Sequence, residues 1–343
     1  MKTPWANTIL LVVLLAQVIS GYGGMANNQE RYDWVLWLHG IGAYALVLLL
    51  FWKGRIVWDA WRRKKRWTWA RIMFLLTSFL LLLTLALGLL WTFNGPQYFL
   101  NISYVSWHIY IAVPLMFLMV WHSWKMRFVF RLPEALNRRL FLRTALLSTA
   151  GLIAWQAANL TKTRWPLPGA LRRFTGSYER GSFSGRFPIV SWIFDNPAPL
   201  QAAVWQLKIH GAVKNPLTLS YEQLRQRNMV ERTAILDCTG GWYTEQLWSG
   251  VSLGELLAQA GLTAEAQSVT IRAISGYQRR FTLAEAQRYL LALEVAGDTL
   301  SHGHGFPLRL VAWDKRGVEW VKWITEVEVN TTAKIWQSPL PLQ

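Results

Sequence analysis

Ile235-Leu-Asp-Cys-Thr-Gly-Gly-Trp-Tyr-Thr-Glu-Gln-Leu-Trp248 holds Cys238, the single cysteine among 343 residues. The residues before it, Thr233-Ala-Ile-Leu, read as a short buried strand, and Asp237 to Gly241 is turn chemistry. The thiol is therefore expected where a strand ends and a glycine-rich loop opens, a place where side chains are displayed rather than packed. An internal disulfide is excluded, because there is no second cysteine. Three uses stay open: a buried small hydrophobe, a nucleophile, or a soft thiolate ligand to a metal.

Outward from this stretch, the chain divides in two. Hydrophobic residues make up 52% and there are 22 tryptophans, a residue whose apolar ring with one polar edge suits a membrane interface. The net charge of +17 is uneven: residues 1–143 hold 16 Lys/Arg against 4 Asp/Glu, and residues 144–343 hold 20 against 15. So basic a chain invites a nucleic-acid reading. The excess lies between apolar spans, where positive charge fixes topology instead, and nucleic acid is excluded as a partner.

Four long apolar segments come first, near residues 5–20, 33–52, 72–93 and 103–124. Each approaches the ~20 residues needed to cross ~30 Å of hydrocarbon. The first is read as a retained span rather than a signal peptide, since no A-x-A-like cleavage site follows and another span begins at once. Residues 53–71 carry eight Lys/Arg, including Arg62-Arg-Lys-Lys-Arg66, and residues 125–143 carry six. The other loops have Arg31 alone, or no basic residue. Positive-inside counting places the N-terminus and both basic loops in the cytoplasm. Asn137-Arg-Arg-Leu-Phe-Leu-Arg143, followed by a short small-residue-rich apolar run at 144–158, resembles a twin-arginine export signal placed inside the chain. That resemblance implies a fifth span and a C-terminal domain folded around a cofactor before export.

Three histidines lie in the spans: His39, His108 and His122. Ligating side chains in hydrocarbon are expensive and are functional candidates. His39 comes six residues after Asp33 and His108 five after Ser103, so both fall at similar depth near the outer face. Matching depth is what a bis-histidine haem b needs between two helices. His122 lies fourteen residues after His108, a spacing of stacked haem sites, but the position fourteen after His39 is Lys53. One outer haem is therefore expected, and a second on His122 lacks its partner histidine. This half resembles four-helix cytochrome b membrane anchors.

Beyond a Pro-, Gly-, Arg- and Ser-rich linker at 161–199, the pattern becomes mixed. Trp205-Gln-Leu-Lys-Ile-His-Gly-Ala-Val alternates as a strand does, and Ser220 and Ser252 are placed to cap helices. Further strands are expected at 268–274 and 307–313, and at 318–329 with breaks, giving an α+β domain.

Within this domain, Cys238 with Thr-Gly-Gly-Trp242, then His304-Gly-Phe-Pro-Leu-Arg309, then Gly317-Val-Glu-Trp-Val-Lys-Trp323, resembles the sulfite oxidase family of molybdopterin enzymes. Trp205 to Pro216 is similar to that fold's opening strand and turn. The resemblance implies that Cys238 binds molybdenum beside a pterin dithiolene. It implies that Arg309 and Lys322 anchor the pterin phosphate, and that His304 and Val321 belong to the cofactor site. It also places Tyr277 at the substrate oxygen as a catalytic residue, with Arg272, Arg279 and Arg280 making the pocket cationic. Arg186 is a candidate for lining the cofactor or substrate channel. His302 is expected in solvent and His210 as structural. The classical family's dimerisation and soluble haem domains are lacking, which resembles the periplasmic methionine-sulfoxide reductase branch with its haem-bearing membrane partner.

The sequence thus describes a multi-domain protein: a four-helix, cytochrome b-like transmembrane bundle (1–137), a signal-like fifth helix with linker (138–165), and an α+β molybdopterin-binding oxidoreductase domain (166–343). It would sit in the cytoplasmic membrane with the catalytic domain on the extracytoplasmic side. Its cofactors would be Mo-molybdopterin and one haem b. Its partners would be a small oxyanion or sulfoxide substrate and a quinone or external electron carrier. The alternative is a non-catalytic membrane electron-transfer or binding protein that keeps the fold.

Overall fold

The computed structural model describes residues 4–26, 28–63, 67–125, 138–192, 195–335 and 337. Part of the basic run (64–66) and most of the second basic loop (126–137), with the expected boundary at Asn137, lie outside the described residues. The chain forms two compact units, Met1–Met25 with Gln29–Tyr178, and Ala26–Asn28 with Glu179–Gln343.

The first unit is built on five helices: α1 (Pro4–Ala26), α2 (Asp33–Arg63), α3 (Trp69–Asn94), α4 (Tyr104–Lys125) and α5 (Arg138–Arg164). All five are long and apolar enough to cross a membrane, by length and composition. Helix α2 runs well past its apolar segment, to Arg63, because basic and polar residues extend it beyond the apolar core. Helix α3 packs on α4, and α2 on α5. Gly151 of α5 meets Ile41 O and the Ala45 side chain, so an added Cβ would fall 2.9 Å from each. A small residue is what lets two such helices approach. A two-residue hairpin, β1 (Tyr98–Phe99) and β2 (Ile102–Ser103), joins α3 to α4. At β3 (Tyr178–Glu179) the chain passes to the second unit.

The second unit mixes two sheets with short helices. One sheet is ordered β5-β4-β13-β8-β9, from β4 (Gln206–Gly211), β5 (Leu217–Ser220), β8 (Ser268–Ala273), β9 (Gln278–Thr282) and β13 (Ile324–Asn330). Only β4 and β13 pair in parallel there. The other contains β6 (Val230–Cys238), β7 (Trp242–Ser252), β10 (Leu290–Val295), β11 (Asp298–Thr299) and β12 (Arg309–Val311). Its strand β7 pairs with β6 along one stretch and with β10 along another. The helices are α6 (Tyr221–Arg225), α7 (Leu253–Ala260) and α8 (Leu283–Ala286).

Local chemistry explains several boundaries. Ser220 and Gln223 form a reciprocal capping box on α6, and the Ser252 hydroxyl accepts the Glu255 N–H at 3.3 Å on α7. Alternation gives β4 the buried pair Leu207 and Ile209. A continuous core follows, centred on Trp248, Phe281, Tyr289, Leu257 and Ile271. One expectation holds and one changes. The 318–329 stretch is broken as expected, into a 3-10 turn, Gly317–Glu319, and β13, with Trp320 to Trp323 between them. The expected short strand before Cys238 is longer, Val230–Cys238, and only its last turn-ward half is buried.

Candidate functional site

Strand β6 delivers Cys238 to the mouth of a hairpin. Cys238 pairs with Trp242 across a three-residue loop. Gly241 has φ +90°, and its N–H donates to Cys238 O at 3.1 Å, a turn that favours glycine. The thiol is not displayed in the way a loop residue would be. It accepts the Gly240 N–H at 3.4 Å and lies in a cavity lined by Phe187, Leu236, Trp242, His304, Arg309 and Lys322, among others.

Two further segments close on it. Gly317 rides on the hairpin so tightly that an added Cβ would stand 3.3 Å from Asp237 O and from Cys238 Cα. Its neighbour Arg316, 3% exposed, donates from Nη2 to Cys238 O at 3.2 Å and places Nη1 3.1 Å from Asp237 Oδ1. From the other side, the Ser301–Gly305 turn presents His304, stacked on Phe187 at 3.9 Å between centroids with Nε2 3.0 Å from Phe187 O. Gly305, at φ +112°, touches both Lys322 and Arg309, where a side chain would crowd them.

The electrostatics are lopsided. Arg309 and Lys322 are buried beside Arg316; among the described residues Asp237 pairs with Arg316, and buried Asp195 lies within electrostatic reach of Lys322. Arg309 donates from Nη1 to His304 O at 2.9 Å, while its Nε is buried without a partner. Lys322 donates to Val190 O, Ser191 Oγ and Gly303 O at 2.8–3.1 Å. Burial pushes Arg309 down to about 9 and, with Arg309 beside it, Lys322 down to about 7. Burial also lowers His304 and raises the Cys238 thiol, the latter against the Gly240 N–H and the Arg316 and Arg309 charges. Such a site is short of negative charge. A soft-metal group carrying anionic sulfur and phosphate supplies it, so these residues fit a molybdopterin. A groove of about 620 Å³ adjoins the cavity through Phe187, Pro188 and His304, and is lined by Arg180, Arg186 and Asp298.

Cys238, His304, Arg309 and Lys322 are thus brought together, and Arg186 sits exposed on the adjoining groove. Several other residues are not. The Tyr277 hydroxyl donates to Val318 O, is pushed up to about 12 by burial, and does not line the cavity. Val321 is fully buried in the core, where its carbonyl accepts the Leu310 N–H at 2.8 Å. Arg272 pairs with Glu328 at 2.6 Å, Arg280 bonds Ser268 and Thr332, and Arg279 lies 3.6 Å from Glu319. Arg272 is held within its own sheet, Arg280 also reaches the segment after β13, and Arg279 donates to Val318 O of the Gly317–Glu319 turn at 3.1 Å; none of the three lines the cavity. His302 is half-buried rather than solvated, with Nε2 3.1 Å from Pro197 O. His210 bonds Glu326 at 2.6 Å. Sequence reading missed Arg316 and Phe187. The available signal was their adjacency to Gly317 and to Arg186.

In the first unit, His39 and His108 face each other with ring centroids 6.1 Å apart and planes at 80°. His39 Nδ1 lies 3.1 Å from Gln17 O and 3.1 Å from Ser20 Oγ, and His108 Nδ1 lies 2.8 Å from Thr84 O. A carbonyl only accepts, so each Nδ1 carries the proton and each Nε2 keeps its lone pair. Gly21 and Gly88 leave room for the rings, since a Cβ on either would come within 3.1 Å. His122, further along α4, is half-buried.

A half-buried thiol ringed by cations in a mixed sheet fits a class, that of enzymes holding an anionic metal cofactor. The family model for the oxidoreductase molybdopterin binding domain matches residues 195–336. An uncharacterized oxidoreductase of Bacillus subtilis (strain 168), YuiH, is 30% identical over 134 residues, covering 37% of this chain and 67% of that protein. The chain is also similar to the sulfane dehydrogenase SoxCD of Paracoccus pantotrophus, at 27% identity over 40% of each chain with a TM-score of 0.38. This chain belongs to the family of oxidoreductases with a molybdopterin-binding domain.

Proposed function

We propose that the protein is a membrane-anchored molybdenum enzyme that transfers an oxygen atom to or from a small sulfur oxyanion or sulfoxide on the extracytoplasmic face. The observation that carries this reading is Cys238 at the floor of a cavity walled by Arg309, Lys322 and His304. In this reading Cys238 is the protein's ligand to molybdenum, and binding displaces its proton. Arg309 and Lys322 hold the pterin's anionic groups, and His304, fixed by Phe187, sets one wall. Arg316 ties the Cys238 carbonyl to the Asp237 carboxylate and so holds the hairpin that carries the thiol. When bound, the cofactor supplies two-electron oxygen-atom chemistry, and the chain supplies ligation, orientation and charge. Arg186 and Arg180 give the groove a cationic rim suited to an oxyanion.

The positive loops favour an N-terminus and basic loops in the cytoplasm, with the second unit on the far side. His39 and His108 would hold one haem b. Their rings stand 6.1 Å apart between centroids, close enough for both to reach one metal, and each Nδ1 is held by a backbone carbonyl. That haem would carry electrons singly between the enzyme and a quinone or external carrier.

Molybdenum and iron per chain, measured by plasma mass spectrometry on detergent-purified protein, test both halves. About one of each is expected. Molybdenum without iron would overturn the haem reading, and iron without molybdenum, in a host that makes the cofactor, would overturn the catalytic one.

A further inference from the structure

We propose that Lys162 and Arg172 form an anion site in the helical unit, and that its ligand is the pair of propionate carboxylates of a haem held by His39 and His108. The inference rests on the haem reading and assigns residues that reading does not use.

Lys162 is 4% exposed, yet no acceptor or carboxylate partners its ammonium among the described residues. Arg172 donates from Nη1 to Thr92 Oγ1 at 3.1 Å and has no acid beside it among the described residues. Lys162 and the Tyr44 hydroxyl both lie within electrostatic reach of Arg172, and that hydroxyl is buried without a partner. A buried lysine repelled by a half-buried arginine beside it is costly unless an anion joins them.

Their place points to the anion. Thr84, Gly88 and Thr92 recur every four residues and so share one stripe of α3. Thr84 O takes the His108 N–H, Gly88 lies against the His108 ring, and Thr92 carries Arg172. At 1.5 Å per residue, Thr92 stands about 6 Å along the axis from Gly88. Arg172 therefore reaches the stripe that faces His108, one turn away from the ring. A haem bears two carboxylates on one edge, which match two cations in charge and one turn in reach. A lipid phosphate offers similar chemistry but would meet cations on the outer faces of helices, not on the stripe against His108.

The test reconstitutes the full-length apoprotein in detergent with haem b or with its dimethyl ester, which lacks the charges. Wild type should retain the diacid at least about tenfold more tightly than the ester. Lys162→Met and Arg172→Met should erase that preference and keep the low-spin bis-imidazole spectrum. If either variant fails to fold, the wild-type ratio decides alone. Equal retention of diacid and ester by wild type would overturn the proposal and leave the haem reading standing. A preference abolished by phosphatidylglycerol vesicles would assign the cations to lipid phosphate and overturn it as well. Absence of a low-spin spectrum in wild type, or its survival in His39→Ala, would sink the haem reading and the proposal together.

Discussion

At His39 and His108 the helical unit offers two neutral imidazoles, their Nδ1 atoms tied to backbone carbonyls. Around Cys238 the second unit offers one thiol among three buried cations, with a single carboxylate paired to one of them. The first arrangement sets two rings 6.1 Å apart with each Nδ1 taken up by a backbone acceptor, which leaves Nε2 as the ligating atom each ring could offer. The second concentrates positive charge around a soft ligand, as an anionic cofactor requires. The orienting partners differ accordingly. A carbonyl of the preceding helix fixes each ring, whereas Arg316 and Gly317 fix the thiol through the backbone of its own hairpin. The two sites should therefore fail independently.

The largest expected effect is at the ring pair. His39→Ala or His108→Ala should abolish the low-spin haem spectrum while molybdenum content stays unchanged; loss of both cofactors together would break the separation. Next come the cations. Arg309→Met or Lys322→Met should weaken molybdopterin retention by roughly 10- to 100-fold, read as molybdenum remaining after gel filtration, with the haem spectrum intact.

A smaller effect concerns pH. Burial holds Lys322 near 7 against an ordinary value of 10.5. Between those values the unfolded chain holds a proton that the folded domain has shed, so the stability of cofactor-free protein should rise as pH climbs from about 7 to about 10. Bound phosphate restores the charge and should flatten that rise. Thermal unfolding of loaded and cofactor-free protein across this window checks it, and identical slopes would contradict the assignment of Lys322. The smallest effect is structural: Ser220→Ala removes the α6 capping box and should cost about 1 kcal/mol in denaturant unfolding, leaving both cofactors bound.

The two units were legible to different degrees. Five apolar runs specify five helices outright, and the equal depth of His39 and His108 was readable from helical rise alone. Cys238, His304, Arg309 and Lys322 were readable because each stands in a short motif beside a glycine that the packing demands. The surroundings of Tyr277 and of the arginines of β8 and β9 were not readable, because motif position does not say which carbonyl or acid a side chain will meet. There, Arg272 is consumed by Glu328 and Tyr277 by Val318 O. Val321 sits next to Lys322 in sequence, but its side chain is buried in the core, away from the cavity. Arg316 was missed because its role runs through a backbone carbonyl, which leaves no mark in residue types.

The central claim is that Cys238 is the ligand to molybdenum. X-ray absorption at the molybdenum edge, on wild type and Cys238→Ser purified with cofactor, tests it most directly. The variant is predicted to lose one sulfur neighbour of molybdenum and more than about a hundredfold of turnover, beyond the effect of outer-shell changes, with the haem spectrum unchanged. An unchanged sulfur count in Cys238→Ser would contradict the account.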